Sequence, residues 1–470
     1  MVQRASSVKK SSAASESAAL PPQLPSNGLP SDGLLSDSLP LDDLPPAYAV
    51  IDPNADAGPS ALPVPIPATP GDLKIEQKKP KELTATRAFG CDRALHIHTT
   101  NVSSSSLLVE HDTDQSNTNS VVVIAEVWSP TADIKERCTV TTDVNARGEY
   151  DVCVAFKLSA WTLFGTKCRF TVRVPASAKF AHPGLRAELC NGSVKLDHVH
   201  NVDFAAVDVQ TSSADVTLSD VSGQRLRIGT SNGTVTLSHV NAGSISVDAS
   251  NSAVKASHVQ ARESLRLTTK NRLVELVGSR SPIVSVATTN AGIALERVTG
   301  DEVDASTTNA KLECREVAAG DLRLKTSNHT IDTSAVAADA LTLVTSNASI
   351  TGSWTVRHRL SARTSNSRIV GAVQLKDPLA RASIELATTN ARVEAVLPAA
   401  AFCGTFDAKT SNSSVGIEWA DAAQGKEPLL KYTVDSKSHK RGSVGASSEL
   451  RHDLVASTSN SAVSIRFVAD

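Results

Sequence analysis

The chain has 470 residues, a formal net charge of −2 and only 3% aromatic residues. The near-balanced charge argues against binding to nucleic acid or to an anionic membrane through general electrostatics. The scarcity of aromatic side chains excludes a wide core filled by Phe, Tyr and Trp, and it favours a narrow, elongated β fold.

The sequence also bounds the compartment and the cofactors. There is no apolar run of about 18 residues, so no membrane span is expected, and the first residues lack the apolar segment of a secretory signal peptide. The seven cysteines include no CxxC pair, which indicates reduced thiols and no bound cofactor. We expect a cytoplasmic protein. A mitochondrial location is the alternative, because Arg4, Lys9 and Lys10 lie among Ser and Ala residues.

Residues 1–85 are rich in Pro, Ser, Ala and Asp, which predicts a disordered N-terminal tail. Within it, Pro45, Pro46 and Tyr48 fit the Pro-Pro-x-Tyr pattern. Such a segment favours a polyproline II helix and offers a Tyr to the aromatic-lined groove of a WW domain. The tail is therefore a candidate ligand for a WW-domain protein. The alternative is a chance match within a Pro-rich segment.

Residues 86–184 contain short alternating runs, such as Val121 to Val127 and Lys167 to Val174, which predict β-strands. These runs lack the period of the later sequence. We therefore expect a separate β-sandwich-like cap, because the first coil of a solenoid would otherwise present open backbone groups.

Residues 185–470 repeat a Thr-Ser-Asn or Thr-Thr-Asn signature, and seven of the twelve intervals are 19 residues long. The residue three positions after each anchor is aliphatic, and the residue six positions before it is apolar, without exception. A repeat of this length with period-two alternation predicts an all-β fold, a parallel β-solenoid (β-helix). The anchors are Ser213 and the asparagines Asn191, Asn232, Asn251, Asn271, Asn290, Asn309, Asn328, Asn347, Asn366, Asn390, Asn412 and Asn460.

We expect these asparagines to form a structural ladder at one corner of the coils. Asn tolerates left-handed backbone geometry, and its amide can bond to the Asn of the next coil. Ser213 and the longer intervals after Asn366, Asn390 and Asn412 are expected to interrupt the ladder. The polar stretch from Asp435 to Gly442 is expected to form a loop.

The segment Phe170-Thr171-Val172-Arg173-Val174-Pro175 leads into Asn191-Gly192-Ser193-Val194 and is followed by repeated Thr-Ser-Asn-x-x-[Val/Ile] units. From about residue 169 to residue 470, this pattern resembles the “putative adhesin” family of β-helical domains of unknown function. That family includes bacterial members and fungal members with a Pro-rich N-terminal tail. The resemblance implies a β-helix and no catalytic residues.

One column of chemically active side chains lies seven residues after four consecutive anchors: His198, Asp220, His239 and His258. Stacking would place them at steps of about 4.8 Å, and imidazole and carboxylate groups are ligands of zinc. The column is therefore a candidate metal site. The alternative is a solvated corner position that accepted His and Asp through repeat duplication.

A second column holds two carboxylates, Glu313 and Asp332, four residues after neighbouring anchors. Their expected spacing is near that of retaining glycosidases, although surrounding basic residues favour ordinary surface charge. We expect a non-enzymatic structural or binding scaffold with an unidentified protein partner. The alternatives are a polysaccharide-active β-helix enzyme and a self-assembling filament in which the coil ending at Val468 stacks end to end.

Overall fold

The structure is a computed structural model, which describes residues 71–112, 120–130, 134–157, 165–175, 180–182, 184–200, 202–419, 430–445 and 450–468. The Pro45, Pro46 and Tyr48 motif and most of the predicted tail lie outside the described residues. Strand structure already begins at Lys74, so the tail boundary predicted at residue 85 is wrong. All six residues of this first strand are exposed, which explains why no apolar alternation marked it.

The described residues form strands and one short helix. The N-terminal elements are β1 (Lys74–Lys79), β2 (Glu82–Gly90), β3 (Leu95–Thr100), β4 (Ser104–His111), β5 (Ser120–Trp128), α1 (Ile134–Arg137), β6 (Cys138–Val144), β7 (Tyr150–Phe156), β8 (Lys167–Val174) and β9 (Phe180–His182). The next strands are β10 (Leu185–Leu189), β11 (Gly192–Asp197), β12 (Val202–Ser219), β13 (Ser222–Asn232), β14 (Val235–Ser238), β15 (Asn241–Ala249), β16 (Val254–Ser257), β17 (Gln260–Thr268), β18 (Val274–Val277), β19 (Ile283–Ala287), β20 (Ile293–Glu296), β21 (Thr299–Ser306), β22 (Leu312–Arg315) and β23 (Ala318–Lys325). The last are β24 (Ile331–Val344), β25 (Ile350–Arg363), β26 (Ile369–Leu375), β27 (Ser383–Ala387), β28 (Val393–Pro398), β29 (Gly404–Thr410), β30 (Val415–Trp419), β31 (Leu430–Asp435), β32 (His439–Val444), β33 (His452–Thr458) and β34 (Val463–Val468).

The expected parallel β-solenoid is confirmed. One stack of parallel neighbours runs through fifteen strands in the order β8, β4, β11, β12, β14, β16, β18, β20, β22, β24, β25, β26, β28, β34 and β30. At about 4.8 Å per layer, this stack is about 70 Å long. A regular coil has three strand segments, as in β14 followed by the two halves of β15 on either side of Gly243.

The core is a narrow file of aliphatic side chains inside the coils. The two columns found in the sequence point inward, as in Val235 and Leu226, which are 0% and 4% exposed. Burying each such side chain stabilises the fold by about 1.5–3 kcal/mol relative to leaving it exposed. The repeat therefore reflects the need to fill a thin lumen layer by layer.

At the N-terminal end, the chain builds its coils out of order. The parallel strand β3 lies between β10 and β7, and β4 lies between β11 and β8. Two coils thus precede residue 185, so the solenoid begins earlier than the sequence division placed it. Antiparallel strands cover the outermost coil, with β6 on β7 and β5 on β8, and β2 and β1 continue outward from β5.

At the C-terminal end, too, the order of the coils in space differs from their order in the chain. The last coil in the sequence, β33 and β34, is inserted between the coil of β27 and β28 and the coil of β29 and β30. The predicted end-to-end stacking through Val463–Val468 is therefore wrong, since β34 has a parallel neighbour on each side. The predicted loop from Asp435 to Gly442 is also wrong, because β32 pairs antiparallel with β29 and β31 pairs with β32. Within the described residues, β30 pairs with β34 alone.

No helix in the described part of the chain has the length and apolar character needed to cross a membrane.

Candidate functional site

The anchor asparagines form a directional ladder along one edge of the solenoid. In each step the side-chain Nδ2 donates a hydrogen bond to the Oδ1 of the preceding layer, at 2.7–3.0 Å. The long sequence intervals do not interrupt it: Asn460 donates to Asn390, and Asn412 donates to Asn460. The sequence spacing predicted a break in the ladder, but the inserted coil keeps the ladder continuous. At the N-terminal end, Asn232 donates to the Ser213 hydroxyl, and Asn191 donates to the Ser103 carbonyl.

The buried threonines two positions before the anchors tie the same corner together. Most of these hydroxyls donate to the backbone carbonyl that follows the anchor of the preceding layer, as in Thr307 to Ala291, at 3.0 Å, and Thr326 to Ala310, at 3.1 Å. These bonds satisfy corner carbonyls that no strand ladder reaches. The Thr-Ser-Asn signature is thus accounted for by folding.

The left-handed corner lies elsewhere than predicted. No anchor Asn has a positive φ among the described residues. The residues with φ of 51–58° stand seven positions after successive anchors: His198, Asp220, His239, His258, Gly278, Arg297, Glu316 and Ala335. The column predicted to bind metal is therefore the column that turns the backbone, and Gly278 continues it.

This corner column does not gather metal ligands. His198 Nδ1 lies 2.6 Å from Asp220 Oδ2, but the His198 side chain is 71% exposed. The rings of His239 and His258 stack with centroids 4.9 Å apart and an interplanar angle of 6°. No third His, Cys, Asp or Glu among the described residues brings a ligand atom close to both rings, so three donors do not converge here. Within the described residues, the one group of three that does converge lies elsewhere.

The Glu313 and Asp332 carboxylates are neighbours, as predicted, but Lys311 neutralises them. Its Nζ lies 3.1 Å from Asp332 Oδ2 and 3.5 Å from Glu313 Oε2. The hydrogen bond to Asp332 is the main cause that raises the pKa of Lys311, so the bridge stays charged. Arg315 also pairs with Glu313. Both carboxylates thus belong to surface ion pairs, and neither lies in the apolar cleft that a general acid requires.

The converging group was missed by the sequence reasoning and lies on the two coils that precede residue 185. We call His96, His98, Asp151 and Cys153 the His-Asp-Cys cluster. The parallel register places His96 beside Asp151 and His98 beside Cys153, all on the outward face of β3 and β7. The two imidazoles stack with centroids 4.8 Å apart.

Asp151 bonds to both histidines. Its Oδ1 lies 2.6 Å from His96 Nδ1, and its Oδ2 lies 3.3 Å from His98 Nε2. The hydrogen bond with the Cys153 side chain is the main cause that raises the pKa of His98, and Asp151 adds to it against the opposing effect of burial, giving a value of about 9. Without an ion these contacts favour the protonated imidazole of His98, and an ion bound at Nε2 would take the place of that proton.

A signal for this cluster is present in the sequence but is not decisive there. His96 and His98 alternate along one strand, as do Asp151 and Cys153 along another, so each pair shares a face. Bringing the pairs together requires the register between β3 and β7, which lie 55 residues apart at His96 and Asp151. No repeat marks these strands, and so the register could not be derived.

Fold and geometry together define a parallel β-solenoid domain with inserted terminal coils. Residues 99–271 match the family model described as Toastrack DUF4097. This match and the β-solenoid fold support the resemblance to a putative-adhesin β-domain of unknown function that the repeat indicated.

Two solved structures are similar to the chain. One is “a putative cell adhesion protein” from Clostridium sporogenes, with 6% identity, a TM-score of 0.17, and coverage of 85% of this chain and 99% of that one. The other is “a putative adhesin” from Bacteroides fragilis, with 12% identity, a TM-score of 0.24, and coverage of 64% of this chain and 98% of that one. No curated protein matches the chain.

Proposed function

We propose that the chain is a non-enzymatic binding scaffold. The observation that carries this proposal is a stack of fifteen parallel layers whose outward columns display charges in register. On one such face, Arg323 pairs with Glu302 at 2.7 Å and with Asp321 at 2.6 Å. A flat, mixed-charge surface of this kind suits recognition of a protein more than the enclosure of a small substrate.

The polysaccharide-active alternative loses its structural support at Glu313 and Asp332, where Lys311 occupies the space that a substrate would need. A screen of the purified chain against pectins and glucans tests it. We expect no product above that of a Glu313→Gln, Asp332→Asn variant. Product formed by the wild type alone would contradict the scaffold proposal.

The filament alternative loses its proposed contact, because β34 is an internal strand and β32 covers β29. Sedimentation velocity over a range of concentrations tests this point. We expect one species whose sedimentation coefficient does not rise with concentration. Growth into longer assemblies would support the filament instead.

The partner is proposed to be a WW-domain protein in the cytoplasm, bound through Pro45, Pro46 and Tyr48. The support is the sequence pattern itself, because these residues lie outside those described. Capture of purified WW domains by the full-length chain tests it, with Tyr48→Ala as the loss variant. Tyr432→Ala, which removes an exposed Tyr of β31, is the matched control. Equal capture by all three chains, or capture by none, contradicts this partner.

A further inference from the structure

The His-Asp-Cys cluster carries an inference that the scaffold role does not require. We propose that three of its side chains, His96, His98 and Asp151, form a binding site for a divalent transition metal such as Zn²⁺.

The spacing of the ligand atoms fits such an ion. One donor atom from each of His96, His98 and Asp151 lies within 4.8 Å of the other two. Tetrahedral zinc, with bonds of about 2.0–2.2 Å to nitrogen and oxygen, holds its ligand atoms about 3.4 Å apart. The separation of 3.3 Å between His98 Nε2 and Asp151 Oδ2 already meets this requirement. His96 Nδ1 lies 2.6 Å from the other carboxylate oxygen, Oδ1, so the Asp151 carboxylate contacts both imidazoles and a small rotation would turn one oxygen towards both.

The donor types fit as well. Two imidazoles and a carboxylate form a ligand set of zinc sites that keep a fourth position open. Cys153 stands beside His98 in the parallel register and two residues from Asp151 on the same strand. Its Sγ is not among the ligand atoms that lie within 4.8 Å of one another, so the ion would be held by His96, His98 and Asp151 with its fourth position open.

A further side chain is placed to orient one ligand. His96 Nε2 is buried and has no hydrogen-bond partner in the described residues, while Glu188 Oε1 lies 3.8 Å from it. An ion on Nδ1 leaves the Nε2–H as the free donor, and a small movement of Glu188 would accept it. A carboxylate that accepts from the far nitrogen of a ligating His is the usual outer support of a metal site.

The cluster is also rigid and shielded. The side chains of His96, Asp151 and His98 are 13%, 21% and 26% exposed. All stand on strands with parallel neighbours on the solenoid, so an ion would find its ligands already in place. The ion would join the outermost coil, which carries β7, to the coil that carries β3.

Titration calorimetry with ZnCl2 on the full-length chain, after removal of metal with EDTA, tests the proposal. We expect one ion per chain. The His96→Ala, His98→Ala variant should bind at least about 100-fold more weakly, because loss of outer-shell partners alone costs about 10- to 100-fold. The matched control is His239→Ala, His258→Ala, which removes a stacked pair of similar geometry and should bind like the wild type.

Two measurements separate lost ligands from lost folding. Asp151→Asn keeps the size of the side chain and should weaken Zn²⁺ binding with an unchanged circular dichroism spectrum. Cys153→Ser removes the neighbouring thiol but leaves all three ligands in place, so this variant should bind Zn²⁺ like the wild type. The proposal is overturned if the wild type shows no saturable Zn²⁺ binding, or if the His239, His258 control loses as much affinity as the cluster variant.

Discussion

At the scale of single residues, the position seven after the anchor sets the backbone of one corner in eight successive coils. A left-handed conformation costs an L-residue about 1–2 kcal/mol relative to its usual geometry, whereas Gly pays no such penalty. His, Asp, Arg, Glu and Ala occupy this corner as well as Gly278. The corner is thus set by the packing of the strands around it, and the side chain it carries is largely free to vary.

This view predicts opposite effects for two substitutions in the column. Gly278→Ala should lower the free energy of unfolding by about 1 kcal/mol, because its φ is 58° and a Cβ would lie 3.4 Å from the His258 ring. Ala335→Gly should raise it by a similar amount, since φ there is 51°. Guanidinium denaturation measures both. Gly416→Ala is the control, as a Cβ there meets nothing within 4 Å; equal effects at residues 278 and 416 would refute the argument.

The asparagine ladder makes a second prediction, which concerns charge and pH. In Asn309→Asp, the new carboxylate can still accept from Asn328, but it faces the Oδ1 of Asn290 without a donor. We expect the free energy of unfolding to fall by about 1 kcal/mol at pH 7. The pKa of this carboxyl should be raised in the folded state, since only the protonated form donates to Asn290. The loss of stability of the variant relative to the wild type should therefore be smallest below about pH 4, and it should grow as pH rises through the folded-state pKa of the new carboxyl.

The control for this prediction lies at the ladder's end. Asn232 donates to the Ser213 hydroxyl, at 3.3 Å, and accepts from Asn251. In Asn232→Asp the hydroxyl can rotate and donate instead, so stability should stay near that of the wild type at all pH values. Urea midpoints for both variants from pH 3 to pH 7 check the pair. A deficit at residue 309 that does not depend on pH would contradict the proton-sharing argument.

At the scale of elements, individual strands were predictable where alternation was visible. The run from Lys167 to Val174 coincides with β8, and the run from Val121 to Val127 lies within β5. Their partners were not predictable, because period-two alternation gives the face of a strand and not its neighbour. The register of the regular coils was predictable, because a fixed interval of 19 residues shows which residues of successive coils lie side by side. The His-Asp-Cys cluster depends on a register outside that interval, and so it was missed.

The inserted strand β33 carries a buried imidazole that should make its coil sensitive to acid. His452 is 1% exposed, and its Nε2 lies 3.1 Å from the Pro378 carbonyl. Burial is the main cause that lowers the pKa of His452. A lowered pKa means that the unfolded chain binds the proton more readily, so stability is complete at neutral pH and falls as pH drops below about 6.5.

His452→Gln should therefore flatten the dependence of stability on pH between pH 7 and pH 5, since Gln can keep a donor near Pro378.

The neighbouring residue Asp453 should affect stability in a lower pH range. Hydrogen bonds from Thr405 and Arg381 lower the pKa of Asp453. The Asp453 carboxylate therefore stabilises the fold at pH values above the usual pKa of Asp, and this stabilisation is lost in stronger acid. Asp453→Asn should alter the profile only below about pH 4. Thermal melts across this range measure both; a slope that His452→Gln leaves unchanged would argue against the buried imidazole.

At the scale of the whole molecule, the order of layers differs from the order of the chain at both ends. Antiparallel strands cover β7 and β8 at one end and β29 at the other, which limits the open backbone groups that a parallel stack would offer to another copy, while β30 pairs with β34 alone among the described residues. The outermost strands are also protected by charge, as β1 carries Lys74, Lys78 and Lys79. These features favour a single rod over a growing fibre, and they mean that the chain cannot be shortened from its C-terminus one layer at a time.

Truncation should show this directly. A chain ending at residue 449 lacks β33 and β34, the strands on which β29 and β30 rest. We expect residues 404–419 to detach, because their parallel neighbours are gone, and limited proteolysis should trim this chain back to near residue 398. A chain ending at residue 398 keeps β27 and β28 on intact neighbours, and it should yield the same resistant core. Protection of residues 404–419 in the longer truncation, read by mass spectrometry of the fragments, would show that β29 can pair with β27 directly and that the inserted coil is dispensable.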